Sequence, residues 1–150
     1  MMIRFSISVV LVFASMTLLA QSSKDLVVTG DQLYGKKNYA AALASYLKAY
    51  DINPDDASVN FKIGLSYLYS DTKSKAAAYI DKAYRLNPSV HERIDYHLGI
   101  AFQNTNEFKK AIDHFNDFKK KNENLASIAD EKIAECMMAD SLAQNELNVV

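Results

Sequence analysis

The chain has 150 residues, with 17 Lys and Arg against 18 Asp and Glu, 49% hydrophobic residues, 4 Gly, 2 Pro and 1 Cys. This composition excludes a disordered or collagen-like chain, and the length fits one domain. The formal charge of -1 argues against a general nucleic-acid binder, and the single cysteine excludes a disulfide framework or a cysteine-rich zinc site. The few Gly and Pro residues favour a mainly helical chain.

The first twenty residues have the layout of a secretory signal peptide. One positive charge, Arg4, precedes an uncharged run from Phe5 to Ala20. A retained membrane anchor is the alternative, but this run would span about 24 Å as a helix, less than the ~30 Å hydrocarbon core. We therefore expect residues 1–20 to be cleaved and the protein to be exported to the periplasm or secreted. Because Cys136 is the only cysteine, the acceptor residue of a bacterial lipoprotein is missing.

The residues after this run repeat with a period of 34 or 35 residues. Gly30, Gly64 and Gly99 are spaced by 34 and 35 residues, and Pro54 and Pro88 by 34. This spacing predicts stacked helical hairpins, in which small residues let two helices approach closely and large residues fill the space beside them. Each of the three glycines is followed after 12 residues by an alanine and after 16 by a large apolar residue, which gives the pairs Ala42 and Tyr46, Ala76 and Ile80, and Ala111 and Phe115.

These positions resemble the tetratricopeptide repeat (TPR) family, whose pattern has apolar, Gly and aromatic positions on its first helix, Ala, aromatic and Ala on its second, and a closing proline. The resemblance implies an all-α, right-handed α-solenoid of three helical hairpins within residues 21–125, as repeats 23–56, 57–90 and 92–125. Four residues depart from the family pattern, namely Thr29, Lys73, Phe118 and Glu123. The other pattern positions match, namely Gly30, Leu33, Tyr39, Ala42, Tyr46, Ala49 and Pro54 in the first repeat, Ile63, Gly64, Tyr67, Ala76, Ile80, Ala83 and Pro88 in the second, and Leu98, Gly99, Phe102, Phe108, Ala111 and Phe115 in the third.

Both prolines predict helix ends, because a residue before proline leaves the α region and proline lacks a backbone donor. Asp55 or Asp56 is expected to cap the helix after Pro54, and Ser89 the helix after Pro88.

Residues 126–150 are predicted to form a capping helix and a C-terminal tail, with the helix running from Leu125 to about Glu146. Such a helix would cover the last hairpin of the solenoid. The alternative is that it lies in the groove or on a partner. Its predicted apolar face consists of Leu125, Ile128, Ala129, Ile133, Cys136 and Met137.

No arrangement of residues suggests catalysis, so we expect no enzyme, no cofactor and no metal site. His91 and His97 would point to different faces of a helix, His114 is expected at the surface, and Cys136 is expected to be buried. The lysines at 109–110 and 119–121 are interpreted as a solvated helix face, with Lys109 pairing with Asp113, rather than as a polyanion site.

The TPR resemblance implies a partner groove on the concave side, lined by the first helix of each repeat. The family's clamp for a terminal carboxylate is absent at its first two positions, Val27 and Asp31, so we reject a chaperone-tail function. The implied partner is an extended or helical protein segment with apolar anchors and some acidic residues. The predicted groove residues are Lys24, Val27, Asp31 and Tyr34 from the first repeat, Phe61, Lys62, Leu65 and Tyr69 from the second, and Arg93, Tyr96, His97, Ile100 and Asn104 from the third.

Two properties of this groove are expected from the side chains alone. Alanine at both Phe61 and Tyr96 should weaken partner binding with little change in melting temperature. His97 should make binding pH-dependent near a pKa of about 6.5.

The favoured function is a non-enzymatic protein–protein scaffold or adaptor in the cell envelope, with no nucleic-acid partner and no stable membrane insertion after signal cleavage. The alternative comes from the tail, because the segment from Ala129 to Met137 and the end at Val150 resemble the join between a TPR module and a β-propeller in OmpA-like envelope proteins. The resemblance implies a link to peptidoglycan, since some of these proteins anchor to it and serve gliding or type IX secretion machinery. On that interpretation the chain is the TPR segment of a larger assembly. An enzyme or metal carrier is a distant third.

Overall fold

Seven α-helices make up the computed structural model of the protein, which describes residues 23–147. No strand occurs in this range, and consecutive helices pack on each other from the second to the last. The predicted all-α solenoid of helical hairpins is therefore confirmed, whereas the predicted signal peptide lies outside the described residues. The helices are α1 (23–35), α2 (Tyr39–Ile52), α3 (Ala57–Leu68), α4 (Ala76–Leu86), α5 (Ile94–Gln103), α6 (Phe108–Lys121) and α7 (Ala126–Leu147), and short 3-10 turns at Lys73–Lys75 and Glu123–Leu125 precede α4 and α7.

None of the helices within residues 23–147 combines the length and the apolar character needed to cross a bilayer.

Close contacts between glycines and large side chains hold the two helices of each hairpin together. A Cβ atom on any of the three repeated glycines would lie less than 3.0 Å from a side chain of the following helix. The predicted close approach of paired helices is therefore confirmed, and the glycines are required by space rather than by backbone conformation. The contacts join Gly30 to Tyr46, Gly64 to Ile80 and Gly99 to Phe115.

The two proline turns lead into their next helices in different ways. Asp56 caps α3 as predicted, because its carboxylate accepts a hydrogen bond from the Val59 N–H at 3.0 Å. The prediction for Ser89 is wrong, since α5 begins only at Ile94. The backbone N–H of Ser89 instead donates to the Asn87 side chain at 3.0 Å, which prolongs the turn.

An ion-pair network joins α5 to α6. The buried carboxylate of Asp95 accepts a hydrogen bond from Lys121 Nζ at 2.6 Å and lies 3.5 Å from His114 Nδ1. His114, predicted at the surface, is half-buried, because its ring stacks on Phe102 and meets the edge of Tyr84.

Some of the lysines on α6, predicted to form a solvated face, make ion pairs with neighbouring helices. Lys121 reaches Asp95 of α5, and Lys119 Nζ lies 2.6 Å from Asp130 of α7. Among the described residues, Lys109 makes no ion pair with Asp113, and the neighbouring Lys110 pairs with Glu107 instead. The expected solvated face is therefore partly an interface between helices.

Helix α7 packs on α6, and Gln103 of α5 donates a hydrogen bond to Glu135 at 3.0 Å. Ala129 and Cys136 are buried as predicted, but Ile128 and Met137 are 41% and 57% exposed. The prediction that both side chains belong to the apolar contact face is wrong. In the described part of the chain, no further helix covers the side of α7 that faces away from α6. The helix thus lies against the third hairpin, and its capping role stays a prediction.

Candidate functional site

A cavity of about 460 Å³ lies between α1, α3 and the loop that joins α4 to α5. Five of the predicted groove residues line it, from the first and second predicted repeats. Five further residues of its wall were not predicted for the groove. The predicted ones are Asp31, Tyr34, Phe61, Lys62 and Leu65, and the others are Gly35, Tyr46, Ser58, Val90 and His91.

The two charged side chains of the cavity pair with each other. Lys62 Nζ donates to Asp31 Oδ1 at 2.5 Å, and the Tyr46 hydroxyl donates to the same oxygen at 2.7 Å. Burial and the hydrogen bond to Asp31 raise the pKa of Tyr46, so its hydroxyl stays protonated and keeps donating. The charge of Lys62, one of the predicted groove residues, is therefore already paired with Asp31.

Two histidines enclose Phe61 at the far end of the cavity. His91 stacks on the Phe61 ring at a centroid distance of 4.8 Å, and His97 meets its edge at 5.6 Å. The rings of His91 and His97 are 5.8 Å apart, so the prediction that they point to different faces of a helix is wrong. It assumed one continuous helix, whereas His91 lies in the loop before α5.

The protonation of these histidines differs from the sequence-based expectation. Burial, with smaller contributions from His91 and Arg93, lowers the pKa of His97 to about 4. Burial also lowers the pKa of His91. Both rings are therefore neutral at pH 7, and the expected titration of His97 near 6.5 is corrected to about 4.

Phe61 and Tyr96 belong to the packed interior as much as to the groove. Phe61 is only 4% exposed, and Tyr96 lies against Phe115 and Phe118 of α6, with ring centroids 5.9 and 5.2 Å away. Truncating such side chains removes buried contacts. We therefore revise the expectation for alanine at both positions, which should lower the melting temperature as well as weaken partner binding.

A tyrosine cluster stands beside the cavity. The rings of Tyr39 and Tyr69 stack at 4.9 Å, and Tyr34 meets them edge-on at 5.1 and 6.1 Å. Burial, reinforced by Tyr69 and Tyr39, raises the pKa of Tyr34 to about 12, so its hydroxyl is protonated. Tyr69 is 54% exposed and extends the aromatic surface of the groove beyond the cavity.

The other predicted groove residues do not line the cavity. Val27 and Ile100 pack against the core, and Lys24 is exposed near the start of α1. Arg93 pairs with Glu92 at 3.7 Å, and the Asn104 side chain donates to the Ile100 carbonyl. The third predicted repeat reaches the cavity indirectly, because His97 does not line it but contacts the ring of Phe61, which does.

Two signals in the sequence point to residues that the prediction missed. The TPR resemblance implies groove contacts from positions 2, 5, 6, 9, 12 and 13 of each repeat. Gly35 stands at position 13 of the first repeat and Ser58 at position 2 of the second. His91 is the one residue between the predicted repeats 57–90 and 92–125, and it accounts for the glycine spacing of 35 instead of 34. An extra residue between repeats thus places an aromatic ring on the cavity wall.

Within residues 23–147, no group of three or more His, Cys, Asp or Glu side chains is arranged to hold a metal ion.

Family models match two overlapping parts of the chain. Residues 30–69 match a model described as TPR repeat, and residues 57–90 match one described as tetratricopeptide repeat. No curated protein sequence matches the chain.

Solved structures with similar folds include three TPR or secretion-chaperone domains. The first TPR of Spaghetti (RPAP3), bound to an HSP90 peptide, is 17% identical with a TM-score of 0.69, over 81% of this chain and 94% of that one. The Sgt2 TPR domain from Aspergillus fumigatus is 19% identical with a TM-score of 0.65, over 82% of each chain. The Yersinia enterocolitica type III secretion chaperone SycD, in complex with a YopD peptide, is 10% identical with a TM-score of 0.65, over 78% of this chain and 93% of that one. Together, the comparisons show that residues 30–90 match tetratricopeptide repeat models and that the described chain folds as a TPR-like helical solenoid.

Proposed function

We propose that this protein is a non-enzymatic adaptor that binds a segment of another protein in the groove between α1 and α3. The cavity is the observation that carries the proposal, because it gathers groove residues from two repeats into one opening of about 460 Å³. That volume lies within the range of roughly 300–1,000 Å³ typical of binding pockets. The peptides held by the similar RPAP3 and SycD structures support the same type of partner.

A peptide library displayed on phage tests this function. The library is selected on the purified protein and counter-selected on the variant Leu65→Arg, which places a charged side chain in the cavity wall. We expect enriched peptides to bind the unmodified protein at least about tenfold more tightly than the variant, a difference of about 1.4 kcal/mol.

Leu86→Arg is the matched control, since Leu86 is 41% exposed at the end of α4 and lies outside the cavity. Peptides that bind Leu65→Arg as well as the unmodified protein would contradict groove binding. Circular dichroism of both variants establishes that each retains its helices.

We further propose that the protein works in the periplasm or outside the cell, on the basis of the apolar run between Phe5 and Ala20. A fusion of residues 1–22 to alkaline phosphatase, which is active only after export, tests this in a bacterial host. Activity with the native segment and its loss after Val10→Arg within the run is the expected result. An inactive native fusion would contradict export.

The second candidate is a TPR segment of a larger OmpA-like, peptidoglycan-associated assembly, favoured by the resemblance of the tail after Ala129. Sequencing the gene beyond the codon for Val150 tests it. A reading frame that resumes with propeller-like strands supports this candidate, and unrelated sequence contradicts it.

A further inference from the structure

We propose that the cavity selects an uncharged aliphatic or aromatic side chain of the partner segment, and that the Asp31–Lys62 ion pair disfavours both carboxylates and cations there. The inference rests on the proposed groove function and specifies the chemistry of its partner. It replaces the earlier expectation that acidic residues accompany the apolar anchors.

The walls of the cavity favour an apolar guest. Tyr34, Phe61, Leu65 and Val90 line it, and the imidazole of His91 presents its ring beside Phe61. An aliphatic or aromatic side chain that enters this space leaves water and contacts apolar surface on several sides. Ser58 and Gly35 are the smallest residues of the wall and leave the most room for such a guest.

The charges of the cavity are already matched. Asp31 accepts hydrogen bonds from both Lys62 and Tyr46, so neither the carboxylate nor the ammonium lacks a partner. An incoming carboxylate has to compete with Asp31 for Lys62 and is repelled by Asp31 at short range. An incoming cation has to compete with Lys62 for Asp31 and is repelled by Lys62. An uncharged side chain leaves the ion pair intact.

In the described part of the chain, Asp31 and Lys62 are the two residues of the cavity wall that carry a charge at pH 7. Burial lowers the pKa of both His91 and His97, so neither imidazole is a cation at pH 7. Arg93, the next basic side chain along the chain, has Glu92 within 3.7 Å. Near-neutrality therefore extends along the α5 side of the cavity.

Parallel phage selections on three proteins test the inference. The random peptide library is selected on the unmodified protein, on Asp31→Asn, and on Asp55→Asn, which removes an exposed acid that pairs with Lys82 outside the cavity. Asparagine at 31 can still accept the hydrogen bond of Tyr46 but no longer neutralises Lys62. We expect aliphatic and aromatic anchors, with Asp and Glu depleted, for the unmodified protein and for Asp55→Asn.

For Asp31→Asn we expect Asp and Glu to become about three- to fivefold more frequent among groove-dependent peptides, the size of effect of one partly exposed ion pair. The reciprocal variant Lys62→Met leaves Asp31 unmatched and should enrich Lys and Arg instead. Lys62→Met also tests the inference by itself if Asp31→Asn fails to fold. Acidic anchors on the unmodified protein, or the same peptide composition for all variants, would overturn the inference and leave groove binding intact.

Two other outcomes also overturn it. A library that yields no peptide sensitive to Leu65→Arg removes the proposed function and this inference together. A dimer seen by sedimentation that Leu65→Arg converts to a monomer would show that a second copy of the chain occupies the groove.

Discussion

The second and third hairpins share one contact and differ in another. Both press a glycine of the first helix against a large side chain of the second, Gly64 on Ile80 and Gly99 on Phe115. Four residues before each glycine, however, α3 buries an amide, Asn60, and α5 buries a carboxylate, Asp95.

The two buried groups find their partners in different places. The Asn60 side chain donates to the carbonyls of Pro54 and Asp56, at 2.7 and 2.8 Å, so its partners belong to the turn just before α3. Asp95 instead depends on Lys121 and His114, which belong to α6. The repeat pattern therefore determines how the helices of both hairpins pack. Of the two, the third hairpin also relies on an ion pair between its helices.

The largest expected effect tests what the hairpins share. Gly64→Ala and Gly99→Ala should each destabilise the protein by about 3 kcal/mol, because the new methyl group overlaps a large side chain and forces the helices apart. Urea denaturation measures the free energy of unfolding. Gly35→Ala is the matched control, since a Cβ there meets nothing within 4 Å, and it should be neutral or slightly stabilising. A cost at one glycine but not the other would show that the hairpins pack differently.

The second expected effect tests by pH the contact between the two hairpins, where His97 of α5 meets Phe61 of α3. The pKa of His97 falls from about 6.5 to about 4 on folding. Between pH 6.5 and pH 4, therefore, His97 binds a proton in the unfolded chain but not in the folded one. Stability should therefore decrease by about 2.5 kcal/mol as the pH falls from 7 to 4, with His91 acting in the same direction. Urea denaturation of His97→Gln should show a much shallower decrease.

A loss of stability at lower pH belongs to the contact between α5 and α6 within the third hairpin. Burial acts to raise the pKa of Asp95, but the hydrogen bonds from His114 and Lys121 outweigh it and lower the pKa. The stabilisation is present above the carboxyl's ordinary pKa of about 3.9 and is lost as the pH falls through the lowered value. This loss should persist in His97→Gln, and its disappearance there would contradict the independence of the contact within the third hairpin from the contact between the two hairpins.

The third effect is the dependence of α5 on α6. Lys121→Met should cost about 2 kcal/mol, because it removes a charge-assisted hydrogen bond from a carboxylate that is only 2% exposed. Lys120→Met, which affects only the exposed pair with Asp117, should change stability by less than about 0.5 kcal/mol. Equal costs in urea denaturation would mean that burial of Asp95 does not strengthen its ion pair.

The smallest effect concerns the turns before the two hairpins. Asp56→Ala should cost about 1 kcal/mol in thermal or urea unfolding, since it removes the cap of α3. Ser89→Ala should have an effect within about 0.5 kcal/mol, because Ser89 does not cap α5. A larger cost for Ser89→Ala would show that the turn before α5 depends on its hydroxyl.

Most of the helix packing was predictable because it follows from residue size at fixed spacing. Gly30, Gly64 and Gly99 each meet the large residue 16 positions later, as the repeat suggested. The first-helix positions also predicted half of the cavity wall, including Phe61 and Lys62. Spacing alone was sufficient at these positions because helical geometry repeats from one hairpin to the next.

The remainder depends on contacts between residues that are distant in sequence. The pairing of Lys62 with Asp31 spans 31 residues, and that of Lys121 with Asp95 spans 26. Helical periodicity does not specify which rotamers of long side chains meet across helices. The position of His91 was predicted wrongly for another reason. This residue lies between the repeats and before the start of α5, where its ring stacks on Phe61.

The burial of Cys136 in α7 has a practical consequence. It is the only thiol of the chain, it is fully buried, and burial raises its pKa, so it reacts slowly with alkylating or disulfide reagents while α7 stays in place. Its labelling rate therefore reports how often α7 detaches from α6, without any added probe. A cysteine introduced on an exposed surface would react first, which allows a spectroscopic label to be attached at one chosen position.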